Sequence, residues 1–512
     1  MSRSKPNPLN PKPSNPHPSN PSNPSNLSNP NPSNPLNPLN PLNPQLYSTR
    51  LRTALVLTGT GTAGAYHAGA LRALHEAGIR IDLVAGAGIG AAGALFAAVD
   101  GGQRLWEPEG LWKRGALARA YQWRAPLRAA GWALAAAGAL LAIPLVLFAL
   151  GVVAALVGLL LSLVGLAAAS TAVTSTYGRS LDALFAPTAL PTIVPRLIVF
   201  CLLAAIASLA AGLAARAWRA EPRRRAAGGP VWRLFSAPLS TKRIVDATAA
   251  ELWNLIRGAA PIAAPPRREL GRRYAELLAE NLGQPLFREL LIAAHDLDAR
   301  RDLLFALLGD GHRQRFFALA AGGGGRRAEA IDLAGVGRDH LMDALSAALS
   351  IPLATDPHLL RFPAEGAWHG ETHRICDRPG TLARLLEEVA AAGAEQVVVV
   401  SAAPPPARPH ELISRRVDLR GRGAEYVSAF EAADLRDGVQ ISADEGRFAA
   451  LHVIRPDHNP VGPLDFGGVY DERSDRRYTL AELVDRGYED AYRQFIEPVV
   501  AASGERIPTV QS

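Results

Sequence analysis

Cysteine is almost missing from this 512-residue chain: Cys201 lies inside an apolar span and Cys376 in a polar stretch. Two cysteines exclude a disulfide framework and fit a reducing compartment. Acidic residues are missing from Met1 to Leu46, which is built of Asn-Pro, Ser-Asn-Pro and Leu-Asn-Pro repeats. Such a stretch cannot bury a core or extend a regular ladder, so residues 1–46 are expected to form a disordered tail. The tail also lacks the continuous apolar core of a secretory signal, which argues against export by that route. Helix-turn-helix, zinc-finger and RNA-binding signatures are missing too, so the formal charge of +7 and pI near 9.6 are not read as a sign of nucleic-acid binding. Charge itself disappears between Arg128 and Arg179, where no charged residue or histidine occurs.

That uncharged block points to a membrane. Gly131 to Ala169 is almost wholly apolar, and a second run, Leu197 to Ala215, is bracketed by Arg196 and Arg216. About 20 apolar residues cross a bilayer, whereas soluble helices of this length seldom lack a polar face. If the chain before the block and the chain after it share one sheet, the number of crossings must be even. One crossing within Ala129–Ser170 and one at Leu197–Ala215 satisfy this. Arg124 and Arg128 precede the first span, and Arg216, Arg219, Arg223, Arg224 and Arg225 follow the last. Basic flanks on both sides predict an inner, cytoplasmic membrane with the globular part cytoplasmic. The arginine cluster is expected to contact anionic headgroups of membrane lipids.

Upstream of the block, the apolar run Ala54–Leu57 meets a glycine-rich turn, Gly59-Thr-Gly61-Thr-Ala-Gly64, and a helix-like stretch follows from Ala65 to Ala77. A second apolar run, Ile81–Ala85, enters Gly86-Ala87-Gly88-Ile89-Gly90. This has the form of a nucleophile elbow, G-x-S-x-G, in which a serine sits on a tight strand-to-helix turn. Here Gly88 occupies the serine's position and brings no oxygen. Gly59-x-Gly61-x-x-Gly64 also matches a dinucleotide fingerprint, but the second strand ends in Val84-Ala85-Gly86 without the acidic residue that would hold a ribose.

Downstream, Phe235 to Ala320 reads as several amphipathic helices, with His295, Asp296 and Asp298 on one of them, and Gly322–Gly325 as a loop. Gln396–Val400 is a strongly β-forming run after a helix at Thr381–Ala392. Strands alternating with helices in both halves imply an α/β fold, a three-layer domain carrying an inserted transmembrane helical segment. The expected division is a tail at 1–46, an N-terminal part at 50–127, a membrane insertion at 128–217, and a C-terminal part at 218–512 that includes the helical segment 235–320.

On these residues the chain resembles the patatin-like phospholipases. That family places a G-G-G-x-[RK]-G oxyanion turn before a helix, G-x-S-x-G at the nucleophile, and an Asp in D-G-[GA] that completes a Ser-Asp dyad. The turn Gly59–Gly64 and the following Ala65-Tyr-His-Ala-Gly69-Ala-Leu71 are similar to the first of these. Ala344-Leu-Ser-Ala-Ala-Leu-Ser-Ile-Pro352 resembles the family's A-S-x-A-x-P segment. Ile454-Arg-Pro, Asp465-Phe-Gly-Gly and Gly487-Tyr-Glu-Asp-Ala through Pro498 resemble the tail of bacterial members that carry membrane helices. The resemblance implies a three-layer patatin-like domain, an oxyanion turn at Gly59, Gly61 and Gly64, and an elbow at Gly86 and Gly90, with no cofactor or metal.

The departures fall on the chemistry. With Gly88 at the nucleophile position no acyl-enzyme can form there, Ala63 replaces the turn's basic residue, and Thr60 replaces its middle glycine. Backbone N–H groups of Gly59 to Ala63 are still expected to offer an anion site. The acidic motif has no D-G-[GA] match: either His369 replaces the aspartate beside Gly370, or Asp377 survives in a shifted loop. His369, Glu371 and His373 alternate as metal ligands on a strand would, but a polar hairpin or loop is the preferred reading. Ser401, at a strand end without glycines around it, reads as a turn residue. The resulting expectation is a membrane-anchored protein of lipid acyl hydrolase ancestry, catalytically degenerate, with a lipid-facing or interaction role. The alternative is an active lipid acyl hydrolase with a non-standard nucleophile.

Overall fold

A computed structural model describes residues 47–185, 190–219, 237–321, 328–364, 368–407, 418–471 and 473–503. The expected tail at 1–46, the loop at 322–325 and Arg223, Arg224 and Arg225 lie outside the described residues. The structure is a mixed α/β fold around a nine-stranded, mostly parallel sheet. Its first strands are β1 (Thr53–Thr58) and β2 (Leu83–Ala87), followed by a short β3 (Gln122–Trp123) and β4 (Leu239–Ser240). Then come β5 (Glu289–Asp296), β6 (Arg301–Leu307), β7 (Ala328–Asp332), β8 (His358–Arg361), β9 (Thr372–Cys376), β10 (Gln396–Ser401) and β11 (Ala450–Ile454). The sheet runs β11-β10-β1-β2-β5-β6-β7, with β9 paired to β5 and β8 paired to β9.

β1 is central because its run Thr-Ala-Leu-Val-Leu-Thr buries both faces; Ala54 to Leu57 are fully inaccessible. A strand covered on both sides reads as continuous apolar sequence rather than alternation, which also explains β2 and the Val397–Val400 run of β10. β10 and β2 flank β1 in parallel, Val56 standing opposite Val399 and Ala85. Three loops therefore leave one edge of the sheet together, after Thr58, Ala87 and Ser401. In α/β sheets that carboxyl edge is where ligands are bound.

Helix α1 (Ala63–Glu76) follows β1 and α2 (Gly90–Ala98) follows β2. The helix Leu480–Ala491 lies across α1 so closely that a Cβ on Gly69 would overlap the Val484 carbonyl, and one on Gly487 would overlap that of Tyr66. A capping box joins Thr479 and Glu482 at the start of that C-terminal helix, satisfying two otherwise unpaired backbone donors.

The region 235–320 differs from the helical expectation. Helices occupy Lys242–Arg257 and Arg267–Asn281, but Glu289–Asp296 and Arg301–Leu307 are the antiparallel strands β5 and β6. His295, Asp296 and Asp298 accordingly sit at the end of β5 and in the turn beyond it, not on a helix. Leu and Ala dominate these runs, and a short buried apolar run of such residues has no period that separates strand from helix.

After a one-turn helix α3 (Gln103–Trp106), the chain enters α4 (Ala125–Leu163), α5 (Ala167–Phe185) and α6 (Leu190–Arg219). α4 and the Ile193–Ala215 part of α6 are long and apolar enough to cross a membrane. Their outer residues are bare: Trp132, Leu145, Phe148, Leu163 and Phe200 are each about 70 % exposed or more. α5 folds back on α4, with the Tyr177 hydroxyl donating to the Leu147 carbonyl at 2.7 Å and Ser170 Oγ to that of Gly158 at 2.7 Å. The start of α4 meets the end of α6 where a Cβ on Gly212 would stand 2.9 Å from Pro126. Just below, β3 pairs antiparallel with β4, Gln122 opposite Ser240 and Trp123 opposite Leu239. This two-stranded clasp joins the two ends of the helical insertion, so the chain leaves the sheet domain and returns to it at one place.

Candidate functional site

Two glycine turns meet at the carboxyl edge of the sheet. Gly88 lies between the end of β2 and the start of α2 with φ of 58°, a left-handed conformation suited to glycine and characteristic of a sharp strand-to-helix turn. It faces the Gly59–Gly64 turn: a Cβ on Gly88 would overlap the Gly59 carbonyl oxygen and stand 3.0 Å from Asp377 Oδ2. Gly86 and Gly90 give the elbow its tightness, since a Cβ on Gly90 would overlap the Leu57 carbonyl. Gly64 lies under Trp112 and Ile89, and Gly61 under Pro463.

The ladder of β5 carries Asp377, and not His369, to the elbow. Ala293 of β5 pairs with Ala87 next to the elbow, and His295 pairs with Cys376. Asp377, the next residue, is thereby carried to Gly88, whose backbone N–H is among the donors that hold its carboxyl. His369 belongs to the turn before β9, at φ of 43°, with all of β9 between it and Asp377; five strand residues span about 17 Å.

Several of the amides that an oxyanion would need are already engaged. Ile89 N–H, from the residue after the elbow position, donates to the Gly59 carbonyl at 2.9 Å. In a nucleophile elbow this amide is one of the oxyanion donors. Within the turn, Thr62 N–H donates to the Pro463 carbonyl at 3.0 Å, Ala63 N–H to Thr60 at 3.3 Å, and the Thr60 N–H faces Glu431. The anion site expected on Gly59–Ala63 therefore has its Thr62 and Ala63 donors occupied by the protein itself.

Sequence reasoning did not single out Glu431 or Asp434. Both lie on the long helix Leu419–Asp444 among several other acidic residues, and nothing in their spacing marks them. They form a carboxyl cluster with buried Asp377 around a cleft of about 20 Å³ that also touches Gly59, Thr60 and Gly88. That is room for a water molecule, not for an acyl chain. Burial, then the neighbouring Glu431, pushes the Asp377 carboxyl up to about 8, against the Arg378 and Gly88 N–H groups. Burial likewise raises Glu431 to about 7, opposed by the hydroxyl and N–H of Thr60. Asp434 is raised by burial while Oδ2 accepts from Leu382 N–H at 2.6 Å. A protonated Asp377 is a poor general base, and it faces a residue with no hydroxyl to deprotonate.

The remaining candidates are structural. His373 Nδ1 pairs with Asp296 in a buried contact, against the rings of Trp368 and Phe362. His295 Nδ1 pairs with Asp302 at 2.8 Å. Asp298 pairs with Arg374 at 2.7 Å. Ser401 is buried, with Oγ accepting from the Ala403 N–H at 3.2 Å, as a turn residue does. Among the described residues no group of His, Cys, Asp and Glu is arranged to hold a metal ion. Arg216 and Arg219 fall in the last turns of α6.

No protein-family model matches the chain, and no curated protein matches it. Among solved structures, the crystal structure of VipD from Legionella pneumophila is similar at 12% identity, with a TM-score of 0.26, covering 88% of this chain and 67% of that one.

Proposed function

We propose that the protein is a membrane-anchored, patatin-like protein whose acyl-hydrolase site has been dismantled and whose remaining role is lipid-facing or interaction-based. The observation that carries this reading is the hydrogen bond from Ile89 N–H to the Gly59 carbonyl. It ties the two glycine turns together across the place where a nucleophile and an oxyanion would meet. Gly88 supplies no oxygen to attack a carbonyl, and the Ile89 and Thr62 N–H groups that could stabilise the resulting charge are committed elsewhere. The elbow geometry at Gly88 and the approach of Asp377 support descent from a Ser-Asp hydrolase.

In this reading, residues 50–127 and 218–512 build one cytoplasmic domain interrupted by the insertion at 128–217. Support comes from the pairing of β3 with β4 at the insertion's two ends and from the bare apolar surfaces of α4 and α6, which bilayer contact would cover. The run of arginines at 216, 219 and 223–225 in the sequence supports contact with anionic headgroups at the cytoplasmic surface.

The test is a fluorophosphonate serine probe applied to the detergent-solubilised full chain, together with a phospholipid hydrolysis assay. No labelling and no hydrolysis are expected. Saturable labelling of a serine that rises and falls with lipid hydrolysis would overturn the reading.

A further inference from the structure

A cavity far larger than the elbow cleft lies where the membrane helices meet the sheet domain, and measures about 960 Å³. One wall is apolar, formed by Leu127 at the foot of α4 and by Leu209 and Leu213 near the foot of α6. The charged part of the lining is mostly basic. Of its cations, Arg124 pairs with Asp356 and Arg267 with Asp246. Arg128, Lys242 and Arg243 have no carboxylate partner among the described residues; Arg128 reaches only the Gln122 side chain, at 3.3 Å. The three are exposed. Lys242 and Arg243 also open the helix Lys242–Arg257, whose free N–H groups add positive potential at the same place.

A second observation fixes the level of this cavity. Trp123 lines it at 53% exposed, and Trp132, further along α4, is 78% exposed. Exposed tryptophans at the foot of an apolar helix mark the headgroup layer. We infer that this cavity binds one anionic phospholipid. Its phosphate sits among Arg128, Lys242 and Arg243, and its acyl chains run along Leu127, Leu209 and Leu213. Lys and Arg hold phosphate oxygens by charge-assisted hydrogen bonds, and the apolar wall selects a lipid over a free phosphate. The inference rests on the membrane-anchored reading above.

The full chain is reconstituted in nanodiscs of phosphatidylcholine and phosphatidylglycerol, and lipid retained through mild detergent extraction is identified by mass spectrometry. The wild type is expected to retain phosphatidylglycerol above its share of the disc. The double variant Lys242→Glu/Arg243→Glu is expected to lose that enrichment roughly tenfold or more, each basic residue contributing a comparable increment. Lys242→Gln/Arg243→Gln, which adds no like-charge repulsion, loses less but in the same direction. Resistance to alkaline extraction and the melting temperature are measured alongside and should not change. A wild type released from membranes by alkali contradicts the anchoring reading itself. A wild type that stays embedded but retains both lipids in the disc ratio, or variants that retain phosphatidylglycerol as well as it does, overturns the lipid site alone.

Discussion

The elbow cleft and the junction cavity are built on opposite terms. At the elbow the backbone is tied across the turn: Ile89 binds Gly59, Thr62 binds Pro463, and Asp377, Glu431 and Asp434 crowd a cleft of about 20 Å³. At the foot of the helices about 960 Å³ stays open, and three cations have no carboxylate partner among the described residues. A site that must bind and turn over a ligand keeps its polar groups unsatisfied until the ligand arrives. By that standard the cleft at the sheet edge has no room for more than water, and the junction cavity is open. In our reading the sheet domain persists as a scaffold for the second region rather than as an enzyme.

The largest effect that would break this contrast is on membrane insertion. Leu141 is 61% exposed on α4. Leu141→Arg is expected to raise the insertion cost by about 3–4 kcal/mol and to release much of the protein in alkaline extraction. Full retention would mean that α4 is covered by protein rather than lipid. Next in size is the elbow's packing. Gly90→Val drives a side chain into the Leu57 backbone and is expected to cost at least about 3 kcal/mol, read as loss of soluble, cooperatively melting domain. Gly88→Ser meets the Gly59 carbonyl and a left-handed φ, for an expected loss of about 1–3 kcal/mol by denaturant unfolding.

A pH dependence sharpens the same contrast. Asp377 and Glu431 have folded pKa values of about 8 and about 7, above the ordinary carboxyl range. A raised carboxyl pKa means that the native state binds protons the unfolded chain has released. The stability present below about pH 4 is therefore lost progressively as pH rises, until it levels off above about pH 8. Asp377→Asn/Glu431→Gln is expected to flatten this loss, with a melting temperature above wild type at pH 9 and little difference near pH 4. Parallel melting curves for the two proteins across that range would show that the carboxyl cluster is not held in an apolar setting.

Much of the frame was legible because β1, β2 and β10 are continuous apolar runs, and because glycines bracket the turns that follow β1 and β2. The segment Glu289–Leu307 was not legible as strand, since Leu-Leu-Ile-Ala-Ala and Leu-Leu-Phe-Ala suit either a buried strand or a helix. His369 and Asp377 could not be separated by spacing; the pairing of β5 with both β2 and β9 carries Asp377, and not His369, to the elbow. The Ile89–Gly59 hydrogen bond is wholly backbone, so no side chain announces it. The junction cavity draws on residues more than a hundred positions apart, Arg128 and Lys242, which only the β3–β4 clasp brings together.

The central claim is that the elbow has lost its catalytic architecture and not merely one side chain. It is tested most directly by Gly88→Ser in the full chain, assayed for fluorophosphonate labelling and phospholipid hydrolysis. The expected result is a folded protein with neither signal, because the Ile89 N–H remains bonded to the Gly59 carbonyl. Robust labelling of Ser introduced by Gly88→Ser, with lipid turnover, would contradict it and show an oxyanion site still intact.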